Sequence, residues 1–120
     1  MCVICAYCKG DAEDTSPCAD DYLQITTAPT GRTVNGNPEY RVTVDNTCSC
    51  PVDEVVLQCP DGLTSTKPIN RTEIHKVGDT DSMLCLVYNG WPINKGSPVT
   101  FTYAWKTTLS FTLDNAEPQC

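Results

Sequence analysis

The chain has 120 residues, with 15 acidic against 8 basic side chains, a formal net charge of -7, and 9 cysteines, 9 prolines and 7 glycines. That length holds one modest core and leaves no room for a second catalytic domain, and the acidic excess opposes nucleic acid or anionic lipid as partners, since each added carboxylate repels phosphate. With 40% hydrophobic and 19% charged residues, the balance is that of a folded domain and not of a disordered chain.

Residues 1–17 carry Cys2, Cys5 and Cys8, several acids and a Ser16-Pro17 break, with no lasting hydrophobic periodicity. They read as a flexible, acidic, cysteine-containing tail or the remnant of a presequence. Met1 to Tyr7 has neither the basic start nor the apolar length of an export signal, so a signal is expected to have been removed or lost. No run approaches the ~18 apolar residues of a membrane span, and no membrane insertion is expected.

From Cys18 to Cys120 the pattern is that of strands. Tyr22, Leu23, Ile25 and Thr27 open a β-rich segment closed by Pro29-Thr-Gly31, and Tyr40, Val42 and Val44 then alternate with polar residues. Between them Val34-Asn-Gly-Asn-Pro38 carries turn chemistry. Val55, Leu57 and Cys59 share one face of the next strand, Pro60-Asp-Gly62 turns the chain, and Leu63 to Thr66 is expected to return as a hairpin partner. Glu73 to Val77 and Met83 to Tyr88 give two more extended runs. Val99, Phe101, Tyr103 and Trp105 form the strongest alternation, and Leu109, Phe111 and Leu113 repeat it as a further hairpin. No window carries a capped amphipathic helix. The expectation is an all-β fold, an antiparallel β-sandwich of about eight short strands.

Six of the cysteines, Cys18, Cys48, Cys50, Cys59, Cys85 and Cys120, are dispersed over this domain. Without paired C-x-x-C spacing, and with one histidine in the chain, they suit three disulfides in an oxidising compartment better than a zinc site. Cys48 and Cys50 stand too close along one strand face to bond each other without distortion, and the remaining connectivities stay open. The tail trio has a ligand-like spacing but supplies only three local ligands, so no metal and no cofactor is expected.

Candidate chemistry is sparse, and no enzyme is expected. His75 lies on a predicted strand with no nucleophile beside it, and Asp79-Thr-Asp81 has an ion-binding form without the α/β frame of a nucleotide enzyme. Tyr88, Trp91, Tyr103 and Trp105 suggest a sugar-stacking platform, although alternation assigns Tyr103 and Trp105 to the core and leaves Trp91, in the turn Asn89-Gly-Trp-Pro92, as the exposed contact. Asn70-Arg-Thr72 fits an N-glycosylation acceptor in a polar connection.

The segments Gly31-Arg-Thr-Val-Asn-Gly-Asn-Pro-Glu-Tyr40, Cys85-Leu-Val-Tyr-Asn-Gly-Trp-Pro-Ile93 and Pro98-Val-Thr-Phe-Thr-Tyr-Ala-Trp105, with the six dispersed cysteines, resemble the plant tapetum determinant family over residues 18–120. The resemblance implies a small secreted, cysteine-rich ligand in the extracellular space (apoplast). Its partner would be the ectodomain of a leucine-rich-repeat receptor kinase, and its role to specify cell fate in anther and other reproductive tissue. On that reading the segment holding Asn89, Trp91, Ile93 and Lys95 is the expected partner contact. The alternative is a carbohydrate-binding β-sandwich module of the cell wall, using Trp91 and its aromatic neighbours.

Overall fold

A computed structural model describes residues 18, 21–60, 63–78 and 83–120. The tail with its cysteine trio, and the Asp79-Thr-Asp81 motif, lie outside the described residues.

Seven strands are present among the described residues: β1 (Leu23–Val34), β2 (Asn37–Asn46), β3 (Val52–Gln58), β4 (Ile74–Val77), β5 (Leu84–Val87), β6 (Val99–Ala104) and β7 (Thr112–Pro118). They form two antiparallel sheets, one ordered β1-β2-β6 and the other β4-β5-β3-β7. The period-2 alternation places Val42 and Val44 of β2, Phe101 and Tyr103 of β6, Val55 and Leu57 of β3, and Val87 of β5 in one buried cluster shared by both sheets. Phe101 meets Phe111 edge to face, with ring centroids 5.4 Å apart. The Leu109 N–H donates to the buried hydroxyl of Tyr103 at 2.7 Å, and burial pushes that phenol above its ordinary value. An all-β sandwich is therefore what these residues build.

Several details depart from the sequence expectation. β1 does not stop at Pro29-Thr-Gly31 but continues to Val34, its register with β2 shifting between Pro29 and Thr33. An edge strand tolerates proline, whose missing N–H would face solvent, and Gly31, at φ 87°, absorbs the irregularity. Asn35 and Gly36, at φ 51° and 82°, then make the tight turn that Asn-Gly signals.

Leu63 to Thr66 forms no strand. β3 instead pairs with β5 and β7, and the 63–71 segment crosses as a strap to the other sheet. Likewise β7 begins only at Thr112 and joins the sheet of β3 rather than pairing with β6. Leu109 and Phe111 are buried but precede the strand, while Leu113 is exposed.

Polar contacts hold the strap. The Thr66 N–H donates to the Ala104 carbonyl at 2.8 Å, and the Ala104 N–H donates to Ser65 Oγ at 3.0 Å. Lys67 Nζ lies 2.6 Å from Glu39 Oε2 and also contacts the Thr102 hydroxyl. Thr30 Oγ1 donates to Glu39 Oε1 at 2.7 Å. Glu39 is one of two buried polar side chains among the described residues. The Lys67 hydrogen bond, helped by Thr30, holds its carboxyl below the ordinary 4.5.

A carboxyl depressed on folding stabilises the fold above its unfolded value, and that stabilisation is lost as pH falls through and below about 4.5 toward the folded value. Lys67→Met should therefore lower the denaturant midpoint at pH 7 and flatten its fall between pH 7 and 3. An unchanged acid slope in the variant would rule out this pair as its source.

Candidate partner-contact surface

The surface singled out by sequence, residues 89–95, follows β5 directly. Tyr88, Asn89 and Gly90 adopt φ values of 57°, 56° and 77°, three consecutive residues in the left-handed region. Each non-glycine residue there costs roughly 1–2 kcal/mol; asparagine tolerates it, but for a bulky tyrosine it is a genuine outlier. Such a turn persists only where its surroundings over-determine it.

Here both ends are tied. The Tyr88 N–H donates to the Glu73 carbonyl at 2.8 Å, and the Trp91 N–H donates back to Tyr88 at 3.0 Å. Beyond Trp91, Ile93 and Val52 exchange two backbone hydrogen bonds, at 2.8 and 3.1 Å. The carboxylate of Glu54 packs beneath Gly90, so that a Cβ at position 90 would fall 2.8 Å from Glu54 Oε2. Glu54 itself has φ 50° and sits where the β3–β7 register shifts. The left-handed turn and the left-handed residue of β3 thus meet through the Glu54 side chain.

The turn presents one large apolar side chain. Trp91 is 50% exposed and stands edge-on to Tyr88, with centroids 5.2 Å apart and planes at 86°. Asn89, Pro92 and Lys95 are exposed around it. Ile93 is not: at 1% exposure its side chain belongs to the core, which removes it from the contact set. Its alternation with Trp91 follows from the extended backbone on which the Val52 bridge depends. A stacking platform does not form either. Tyr103 is buried against Tyr40 at 5.3 Å, Trp105 is half-buried beside Lys106, and Tyr88 meets Trp91 at a right angle.

Asn46 was missed in the sequence. This buried residue at the end of β2 donates from Nδ2 to the carbonyls of Cys50 and Ile93, both at 2.9 Å. Its Oδ1 accepts the Cys48 N–H at 2.9 Å. The last contact is an Asx turn, and an asparagine two residues before Cys48 is a legible signal for one. Asn46 therefore ties the cysteine loop to the rear of the Trp91 turn.

The six dispersed cysteines pair as Cys18–Cys48, Cys50–Cys120 and Cys59–Cys85. The sulfurs of the first two bridges lie within 4.8 Å of one another, a grouping that could suit a metal ion were the thiols free. Joined as two disulfides they offer no thiolate to an ion. His75, on β4, is half-buried, and its Nδ1–H donates to the Arg71 carbonyl at 2.9 Å. Asn70 is exposed, and its Oδ1 accepts the Thr72 N–H at 2.9 Å.

Residues 19–120 match the family model described as "Tapetum determinant 1, C-terminal". The chain belongs to the tapetum determinant family. It is 28% identical over 105 residues to the Arabidopsis thaliana protein described as TPD1 protein homolog 1, the match covering 86% of this chain and 55% of that protein. The chain thus spans about half the length of the curated relative it matches. No solved structure matches. The family match begins one residue after Cys18 and ends at Cys120, so the tapetum determinant region contains all seven strands and five of the six bridging cysteines. No helix among the described residues is long and apolar enough to cross a membrane.

Proposed function

We propose that this chain is a secreted, cysteine-rich signalling ligand. It would bind the ectodomain of a plant leucine-rich-repeat receptor kinase and thereby specify cell fate in anther or other reproductive tissue. Membership of the tapetum determinant family supports the class. The observation that carries the contact is the left-handed turn holding Trp91 half-exposed on a disulfide-braced frame. A tryptophan held in place before encounter loses little conformational freedom on binding, and tryptophan is enriched among the residues that dominate interface energies. Asn89 and Lys95 would supply the polar rim. The repeat receptor's concave face suits a rigid body that offers a protruding turn. Catalysis has no part in this reading, and Asn70, exposed in its Asx turn, would carry an N-linked glycan in the secretory pathway.

The test is binding of the chain, expressed through a plant secretory pathway, to a panel of leucine-rich-repeat ectodomains from anther tissue. Saturable binding is expected, with Trp91→Ala weakening it about tenfold or more, equivalent to about 1.4 kcal/mol, at an unchanged thermal midpoint. The same material should shed mass on N-glycanase treatment, and Asn70→Gln should abolish that shift. Binding to cell-wall polysaccharide that collapses with Trp91→Ala, with no ectodomain bound, would replace the ligand reading by the carbohydrate module.

A further inference from the structure

We propose that the cleft between the 63–71 strap and β4 is a binding site for a small organic anion: one carboxylate, sulfate or phosphate group on an apolar ring. The cleft measures about 300 Å³, at the small end of the range for ligand pockets and suited to a single ring. Its charge runs against that of the chain. Of 8 basic residues in a chain of net charge -7, Lys67, Arg71 and Lys76 line this one cleft together with the single histidine, His75, and no acidic side chain among the described residues lines it.

The cations have different tasks. Lys67 is neutralised by Glu39 at 2.6 Å and fixes the strap, so the cleft wall is held in place before any ligand arrives. Arg71 is exposed and pairs with no carboxylate among the described residues. Its planar fork is suited to two parallel hydrogen bonds to an oxyanion. His75, its Nδ1–H fixed on the Arg71 carbonyl at 2.9 Å, has Nε2 as its other polar atom.

Apart from Ser65, whose hydroxyl accepts the Ala104 N–H, the remaining lining is apolar. Ile74 is fully buried, and Leu63 and Ile69 are partly buried against the core. A charged edge beside apolar side chains discriminates in favour of a ligand carrying both characters over one carrying either alone.

The experiment is a titration of the intact, disulfide-bonded, ¹⁵N-labelled chain with benzoate, phenyl sulfate and phenyl phosphate, read by amide shifts. Benzyl alcohol and inorganic phosphate serve as the uncharged and the ring-free controls. At least one aromatic anion should produce saturable shifts confined to residues 63–76, with half-saturation at least tenfold below either control. Arg71→Glu, an exposed change, should raise that half-saturation at least tenfold at an unchanged thermal midpoint, and Arg71→Gln should raise it less. The proposal is overturned if no aromatic anion saturates, if either control matches it, or if both Arg71 variants bind as the parent does.

Discussion

Replacing Cys59 and Cys85 together by alanine is expected to lower the thermal midpoint by about 12–25 °C, corresponding to a loss of roughly 3–5 kcal/mol. The two cysteines are 26 positions apart in sequence. Chain-entropy reasoning gives about 3.5 kcal/mol for closing a loop of that size. Both residues are fully buried, inside the cluster shared by the two sheets. Two alanines in their place would also leave a void that a close-packed core fills only in part. Against the ~5–15 kcal/mol of a typical domain, this is a large share. Scanning calorimetry of parent and double variant, both otherwise oxidised, measures it. A midpoint within about 5 °C of the parent would show that β3 and β5 hold together without the bridge.

Asn46→Ala is expected to cost about 3 kcal/mol in urea unfolding, though the residue is neither hydrophobic nor cysteine. Three hydrogen bonds are lost at once, each worth about 0.5–1.5 kcal/mol net, and the Cys48 N–H is left without its acceptor at a buried position. The companion change Asn46→Asp keeps that acceptor but sets a carboxylate against the carbonyls of Cys50 and Ile93. Burial and those carbonyls would raise its folded-state pKa above the unfolded ~3.9. A raised carboxyl costs stability as pH climbs through the unfolded value, so Asn46→Asp should be more harmful at pH 7 than at pH 3. A loss below about 1 kcal/mol for the alanine variant would mean that Asn46 does not brace the Trp91 turn.

Much of the fold was legible because alternation reports burial directly. Val42, Val44, Phe101 and Tyr103 were assigned to the core from their spacing and lie there, and Asn35-Gly36 turns the chain as its residues require. Pairing was less legible. Leu63 to Thr66 has strand-like spacing, but Thr66 and Ser65 bond Ala104 on the other sheet, and no local pattern encodes a partner 38 or 39 residues away. β7 shows the same limit: Leu109 and Phe111 alternate as a strand would, yet they fill the end of the core before the strand starts.

At the candidate contact surface, exposure of Trp91 followed from its place between Gly90 and Pro92. The left-handed backbone of Tyr88 did not, since what surrounds that turn, the Glu73 carbonyl that accepts the Tyr88 N–H and the Glu54 carboxylate beneath Gly90, comes from the turn before β4 and from β3. The burial of Ile93 depends on Val52 in the same way. Single residues signal their own preferences, while strain and bridging arise from neighbours distant in sequence.

The neighbouring bridges Cys18–Cys48 and Cys50–Cys120 create a covalent short cut through Ser49. Tension applied between residues 18 and 120 travels across four sulfurs and three consecutive residues, bypassing every strand. The sandwich hangs from that path as two slack, closed loops, one holding β1 and β2 and the other β3 to β7. Pulling on its ends loads sulfur–sulfur bonds and cannot unzip a sheet until one of them is reduced.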